Sequence, residues 1–571
     1  MNKKTEIVSR FPLTSWYDEK IAESPEEQII KTILSEISSS DIESFLHPSI
    51  KELPDPGLLK GIQDAVDLFL KIIQQKGSIL IVGDYDVDGI TSTVIFIRFL
   101  KSIHYKNFDS LIPNRFEHGY GLTKKLLEEI IIKKPDLVIT VDNGITSKVE
   151  IEQIKRNGIE IIVTDHHLPQ EDVIPDCLVI NPKQVDCSFP YKDLAGVGVA
   201  YMFIIQVRSV LRERGFWAEK SSEPNLLKYL DLVAIGTVAD QVPLLGLNRV
   251  FVKMGLEQMT KNAQAPDPED SFHYLKIFCE KENVKFFSSQ TIAFRLAPML
   301  NATGRMKDAA AGVDFLISDS SQSAINNYNN IEKLNQKRRK KQKVMLKKAI
   351  SLAKSQIKTQ HGLVLFDESF HEGLIGIIAS RIVDDYNVPC AVVTKGKEEI
   401  LKASCRSKDE NIIDILGECQ GYLERFGGHA NAAGFSIKED RLNDFTQKFS
   451  DICQKIILNQ KIKRVNACIE VKKEMLTYEL INRLKVLEPY GQENRKPVFL
   501  IKDISLPVPT IMTGKHLKWT LDHDLELIYW NGKESVKYDM LYDITFTLEE
   551  NSFRGNSKRQ LILDSIISIE N

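Results

Sequence analysis

The stretch Ser78-Ile79-Leu80-Ile81-Val82-Gly83-Asp84-Tyr85-Asp86-Val87-Asp88-Gly89 sets an apolar run directly against carboxylates at alternate positions. A short apolar run bounded by glycine reads as a strand buried on both faces, the kind that builds parallel sheets. The acids then stand at its carboxyl end. Outward from it the pattern recurs. Leu137 to Val141 runs into Asp142-Asn143-Gly144, and Ile159 to Thr164 runs into Asp165-His166-His167. Leu232 to Thr237 is a further strand candidate leading to Asp240-Gln241, and Cys177 to Ile180 is another. Helical stretches fill most of the gaps, at Ser92 to Ile103, Thr123 to Lys133, Lys148 to Arg156 and Gly198 to Arg212. Alternating strands and helices give an α/β fold with a parallel sheet. Ligands of such sheets bind outside the carboxyl ends of the strands, so separate stretches of chain deliver Asp and His to one rim.

That many carboxylates on one small surface raise each other's pKa unless cations lie among them. Oxygen ligands with one or two imidazoles and no thiolate suit Mg²⁺ or Mn²⁺, and two such ions about 3.5 to 4 Å apart form the clamp used in phosphoryl chemistry. Asp142, alone on its strand, is the natural carboxylate to bridge them. Taken singly, an Asp after a strand is often only a helix cap, and a DxDxD string also occurs in Ca²⁺ loops. Four coincident strand ends favour a metal site.

The remaining composition bounds the setting. The chain has 571 residues, 43% hydrophobic and 27% charged, enough for about three or four globular domains. Met1 to Phe11 has no apolar segment of secretory type, and no apolar run approaches about 18 residues, so a soluble cytoplasmic protein with no membrane association is expected. The eight cysteines include no CxxC pair, which fits a reducing compartment and sets structural zinc aside. A formal charge of −3 means that a polyanionic partner must be held by local basic patches. Residues 1–57 read as an N-terminal helical arm, 58–318 as the first α/β domain, 319–357 as a connector helix, 358–458 as a second α/β domain and 459–571 as a β-rich domain. The connector carries a basic run from Lys337 to Lys348, either a solvated face or a phosphate track. Gly427-Gly428-His429 reads as a loop of the second domain.

The string Gly83 to Gly89 together with Asp165-His166-His167 resembles the DHH phosphoesterase superfamily. Leu111 to Gly121, Leu194 to Ala200, Leu232 to Asp240, Asn301 to Arg305, His371 to Arg381, Gly427 to Gly434 and Phe553 to Asn556 narrow the resemblance to its single-strand-specific exonuclease branch, from about residue 60 onward. The resemblance implies a parallel-sheet DHH catalytic domain, joined by the long helix to a smaller α/β DHH-associated domain and then an OB-fold-like single-strand-binding domain. It implies a 5′-to-3′ exonuclease that degrades single-stranded DNA to 5′-mononucleotides in recombination and repair, using two Mn²⁺ or Mg²⁺ ions.

The ions would be held by Asp86, Asp88, Asp142, His166 and Asp240. Catalysis would rest on Asp84, Asp86, Asp88, Asp142 and His167, the last facing the scissile phosphate. Arg115, Ser404 and Arg406 match a pocket for the 5′ phosphate; Arg305, His371, Gly427, Gly428 and His429 are further DNA-binding candidates. In the terminal domain Tyr490, Phe499, Trp519, Tyr529 and Trp530, with Lys515, Lys518, Arg554, Lys558 and Arg559, are the right kinds of residue for stacking and phosphate contact. A single-strand-binding protein and a RecQ-like helicase are implied partners, and a monomer is expected. Departures from the family pattern are Met299 where an arginine is common, Phe370 in place of a tryptophan and Ala403 in place of a glycine. The competing readings are a DHH-type phosphodiesterase of short oligonucleotides or cyclic dinucleotides and a non-catalytic single-strand-binding relative. A haloacid-type phosphatase leaves His166-His167 unexplained.

Overall fold

The computed structural model describes residues 4–569 apart from 21, 38–40, 120, 171–172, 218–221, 267–271, 307–308, 397–399, 460–461, 515, 533–535, 537–539 and 554–555. The apolar run after residue 78 forms the buried strand Ile79–Val82 of a five-stranded parallel sheet. Across the sheet the strands are Phe108–Leu111, Ile79–Val82, Leu137–Val141, Glu160–Thr164 and Leu178–Ile180. The chain leaves Ile79–Val82 toward one edge and then returns to its other side as Leu137–Val141. Those two strands therefore flank the topological switch point, where a crevice opens at their carboxyl ends. Asp84 and Asp142 lie there. Phe108–Leu111 escaped the sequence reading because it is a half-exposed edge strand with no apolar run.

One expectation is corrected. Leu232 to Thr237 is not a strand but the middle of the helix Leu230–Asp240, buried from Leu230 to Val238. A helix packed on all sides has no polar face, so its apolar run is indistinguishable by periodicity from a core strand. Asp240 thus reaches the rim from the last turn of a helix. Within this core Arg98 donates to both oxygens of Asp231 at 3.1 and 2.9 Å, Tyr274 donates to Asp231 Oδ2 at 2.6 Å, and Arg98 also donates to the Leu316 carbonyl. The network ties four helices behind the site. Asp231→Asn is expected to cost about 2 kcal/mol in urea unfolding, since it neutralises one partner of a buried ion pair while keeping its shape.

The connector is a helix of 36 residues, Ser321–Gln356, whose N-terminus is capped by the Ser320 side chain. Ala324, Tyr328 and Ile331 bury against the first lobe; Met345, Ala349 and Ala353 bury against the second. The second lobe is a five-stranded mixed sheet in the order Arg425–His429, Ala432–Lys438, Ile400–Arg406, Cys390–Lys395 and Leu363–Phe366. Here too a correction is needed: Gly427-Gly428-His429 is not a loop but part of the hairpin strand Arg425–His429.

The terminal eight-stranded sheet contains an unexpected member. Lys4–Phe11 pairs in parallel with Ile462–Glu470, with Lys4 opposite Ile462. The first residues are therefore not a purely helical arm. Ile29, Leu34 and Phe45 from the following helices enter the terminal domain's core. Arg249, buried in the first lobe, donates to the carbonyls of Phe45, Val486, Leu487 and Glu488 and fastens that domain to the first lobe. Among the described residues no helix is long and apolar enough to cross a membrane.

Candidate active site

Each acid at the rim is positioned by local backbone. Asp86 caps the helix Val87–Ser102, its Oδ1 accepting from the Gly89 amide at 3.1 Å. Asp88, in that helix's first turn, accepts from the amides of Gly196 at 2.6 Å and Val197 at 2.9 Å, at the start of the helix Gly196–Glu213. Asp142 sits just past the central strand in left-handed backbone, φ 60°. The close fit behind it needs glycine, because a Cβ on Gly196 would lie 2.8 Å from the Asp142 Cβ. His166 Nε2 lies 3.2 Å from Asp142 Oδ1, 3.6 Å from Asp240 Oδ2 and 3.9 Å from Asp88 Oδ2. Ligand atoms of Asp84, Asp86 and Asp142 also lie within 4.8 Å of one another. The structure thus brings Asp84, Asp86, Asp88, Asp142, His166, His167 and Asp240 to one rim.

The electrostatics of this cluster are those of a site built for cations. Burial, then the charges of Asp88, Asp86 and Asp240, push the Asp142 carboxyl well above its ordinary range. Burial and Asp86 raise Asp84 likewise and carry Asp88 to about 7, and burial with Asp88 and Asp86 raises Asp240 to about 8. Burial and the neighbouring His167 charge lower His166 to about 3, which leaves it a neutral ligand. Asp84 Oδ1, Asp142 Oδ1 and His166 Nε2 are buried without a hydrogen-bond partner. Orphaned buried oxygens beside an unprotonated imidazole, with no thiolate, fit hard divalent ions.

His167 differs from its neighbour. Its Nδ1 lies 2.8 Å from Asp165 Oδ1, and Asp165 is itself fixed by the His166 and His167 amides and by Ile145 N at 2.9 Å. Burial alone would lower His167, but the hydrogen bond and charge of Asp165 prevail and raise it to about 9. Asp165 drops to about 2, since the bond and charge of His167 outweigh its burial. Asp165 is a functional residue that the sequence pattern leaves without a role; its place two residues before His167 is the signal for it.

A second cluster adjoins the first through Tyr85, whose ring centroid is 5.2 Å from the Arg115 guanidinium carbon. Arg305 donates to the Gly373 carbonyl at 3.0 Å, and Arg406 to the Cys405 carbonyl at 2.7 Å and Ser404 Oγ at 3.4 Å. The helix Ile375–Tyr386 begins against this pair: a Cβ on Gly376 would lie 2.9 Å from Arg406 Nη2 and 3.1 Å from Ser404 Oγ. The His371 ring packs edge-on against Phe116, 5.4 Å between centroids, beside Arg115. Burial, then Arg115 and Arg338, lower the Arg305 guanidinium to about 10. None of Arg115, Arg305, Arg338 and Arg406 forms an ion pair among the described residues. Converging unpaired guanidiniums call for an anion. Arg338 was legible only as one member of the connector's basic run; its signal is the buried Asn335 one turn earlier, whose Oδ1 accepts from Arg338 Nε at 3.2 Å.

Other candidates fall elsewhere. Gly427, Gly428 and His429 are exposed on the outer hairpin strand. They share sheet rows with the pocket, Gly427 through Gly434 to Ser404 and His429 through Ala432 to Arg406, but stand two strands or about 10 Å away. Met299 is buried in the core of the first lobe and Phe370 in that of the second. Phe499 and Trp519 are core residues of the terminal domain, while Trp530 is half exposed. Lys518 and Lys558 are paired with Glu526 at 2.8 and 2.6 Å, and Arg559 with Asp524, so these cations are neutralised within the domain. Tyr120, Lys515, Arg554 and Gly555 lie outside the described residues.

Three family models match the chain: "DHH family, N-terminal domain" over residues 78–237, "DHHA1 domain" over 359–455 and "RecJ OB domain" over 469–565. The chain is 33% identical to the single-stranded-DNA-specific exonuclease RecJ of Dickeya dadantii, over 91% of this chain and 93% of that protein. It is 32% identical to the protein of the same name from Escherichia coli, over 91% and 92%. Among solved structures it is similar to RecJ in complex with Mn²⁺ from Thermus thermophilus, with a TM-score of 0.81 and 27% identity, covering 100% of this chain and 80% of that one. A Mg²⁺ complex of RecJ from that organism superposes with a TM-score of 0.76 at 25% identity.

Proposed function

Since the chain belongs to the RecJ family of single-stranded-DNA-specific exonucleases, we propose that it hydrolyses single-stranded DNA from the 5′ end to 5′-mononucleotides with two divalent cations, Mn²⁺ or Mg²⁺. The observation that carries the reading is the adjacency of an acid rim fit for metals to a cluster of unpaired guanidiniums, joined through Tyr85. Asp86, Asp88, Asp142, His166 and Asp240 would hold the ions, with Asp84 beside them. When bound, the ions supply Lewis-acid polarisation of the phosphoryl oxygens and a lowered pKa for water.

The chain's own groups do the rest. His167, kept cationic by Asp165, donates a hydrogen bond to the phosphate as negative charge grows on it. Arg115, Ser404 and Arg406, with Arg305 beside them, grip the terminal phosphate, and the start of the helix Ile375–Tyr386 adds its positive dipole. An anion pocket at a fixed distance from the rim measures one nucleotide without reading any base. We place the reaction in recombination and repair in the cytoplasm, with the enzyme acting as a monomer on strands supplied by a single-strand-binding protein and a RecQ-like helicase; family membership supports this part.

Chelated enzyme should be inert. With Mn²⁺ restored, a long 5′-phosphorylated single strand should yield mononucleotides, with a 5′ label released before a 3′ label. Hydrolysis of dinucleotides or cyclic dinucleotides but not of the long strand would transfer the assignment to a short-oligonucleotide phosphodiesterase.

The His167 role gives its own pH signature. A cationic histidine is present below its pKa, so kcat should fall on the alkaline side. In Asp165→Asn, which removes the charge that raises His167 to about 9, that alkaline limb should move toward the ordinary histidine value of about 6.5. An alkaline limb that stays in place would remove His167 from the chemistry.

A further inference from the structure

The connector helix Ser321–Gln356 carries a second basic surface that the site does not use. From Lys333 to Lys354 the helix has ten lysines and arginines and no Asp or Glu. One of the ten, Arg338, belongs to the guanidinium pocket, where its charge lowers Arg305. Lys333, Lys337, Lys340 and Lys347 are exposed, and with Val344, Ser351 and Lys354 they follow one another at alternating steps of four and three residues. That spacing makes a nearly straight row along a helix. The row lies on the side turned away from Ile331, Met345, Ala349 and Ala353, which pack on the two lobes. At a rise of about 1.5 Å per residue it is about 32 Å long.

A charged run on a helix is ordinarily a solvated face, and such faces alternate in sign so that residues i and i+4 pair. Here those neighbours are alike: Lys333 with Lys337, Lys337 with Lys341, Arg339 with Lys343, and Lys343 with Lys347. Like charges at that spacing destabilise a helix. Among the described residues, Lys348 is the one cation of the run outside the pocket that has an ion pair, with Asp367 at 2.5 Å. A polyanion laid along the row relieves the repulsion and gains from the release of its own counterions.

The chemistry of the row selects among polyanions. It has no aromatic ring, the group by which single strands are held on their exposed bases. Its lysines are point charges on flexible stems, which contact phosphates without reading bases. Its length is about one turn of duplex DNA. We propose that the outer face of the connector helix is a sequence-independent docking surface for the phosphate backbone of double-stranded DNA, separate from the metal rim and the guanidinium pocket. The docking stands without the nuclease reading; its consequence rests on that reading. Arg338 lies in the same turns of helix as Lys337 and Lys341, so a duplex held on the outer face keeps its protruding 5′ single strand at high local concentration beside the terminal-phosphate pocket.

The test is fluorescence anisotropy of the full chain in chelator with a labelled blunt duplex of about three helical turns, titrated over a range of salt. One variant combines Lys333→Gln, Lys337→Gln, Lys340→Gln and Lys347→Gln; a matched variant carries arginine at the same positions. In the glutamine variant duplex affinity at low salt should fall at least about tenfold, and the slope of log affinity against log salt should fall by about 3 to 4, close to one for each lysine lost. The arginine variant should bind as wild type does. With Mn²⁺, kcat/KM on a short 5′-phosphorylated single strand should be the same in the glutamine variant and wild type, while KM on a duplex with a 5′ tail should rise. Duplex affinity and slope unchanged by glutamine would leave the row to another polyanion and overturn the proposal. An equal loss on single strands, or an equal loss with arginine, would overturn it too. Wild type inert on single strands, with duplex binding still lost in the glutamine variant, would overturn the nuclease reading and leave the docking surface standing.

Discussion

Asp142→Ala is expected to lower kcat on single-stranded DNA by about 10³-fold or more, the equivalent of at least about 4 kcal/mol of lost transition-state stabilisation. Asp142 is buried, stands at the topological switch point and lies within ligand reach of both His166 and the Asp84–Asp86 pair, so its loss disables the whole rim. A stability measurement should move the other way. In chelated protein Asp142 adds charge to a cluster that burial and repulsion already disfavour, so Asp142→Asn should melt at a higher temperature than chelated wild type. Added Mn²⁺ should reverse that order.

The pH dependence follows from the same groups. The Asp88 and Asp240 carboxyls are raised to about 7 and about 8 in the folded chain, against about 3.9 when unfolded. Between those values the folded state binds more protons, so chelated wild type is most stable below about pH 4 with respect to these groups and loses that stability as pH rises through 7 and 8. Thermal melts in chelator and in Mn²⁺ should therefore differ most at the alkaline end. Parallel curves would contradict the assignment of the rim to cations.

Arg406→Ala is expected to reduce kcat/KM on 5′-phosphorylated strands about a hundredfold, since a charge-assisted fork to a terminal phosphate is worth about 1.5 to 3 kcal/mol. On strands ending in a 5′ hydroxyl the loss should be small, and the preference of the wild type for phosphorylated ends should shrink accordingly. Arg406→Lys should not restore it, because an ammonium cannot offer two parallel donors. A uniform loss on both kinds of end would make Arg406 a general backbone contact and remove the pocket as the source of polarity. Burial first, and the like charge of Arg115 after it, disfavour the Arg406 guanidinium, a cost that an alanine relieves, so the variant should fold at least as stably as wild type.

The centre of the site was legible because its logic is local. Ile79–Val82 and Leu137–Val141 are buried on both faces and so are apolar but for Thr140, and the first charged residues after them must stand at the sheet's carboxyl rim. His166 and His167 follow Glu160–Thr164 by the same rule. What escaped depends on partners far away in sequence. The helix Leu230–Asp240 looks like a strand because neighbours enclose it on all sides. Lys4–Phe11 is a strand only because Ile462–Glu470 lies beside it. Phe108–Leu111, at an edge, needs no apolar run.

Composition also misled where burial decides. Phe499 and Trp519 have the chemistry of stacking residues but fill the terminal core, and Lys518 and Lys558 are occupied by Glu526.

The most direct measurement is anomalous diffraction at the manganese edge from crystals of the protein soaked in Mn²⁺. Two peaks about 3.5 to 4 Å apart, both bound by Asp142 and otherwise held by Asp86, Asp88, His166 and Asp240, are predicted. An empty rim, or manganese bound only away from Asp142, would contradict the account.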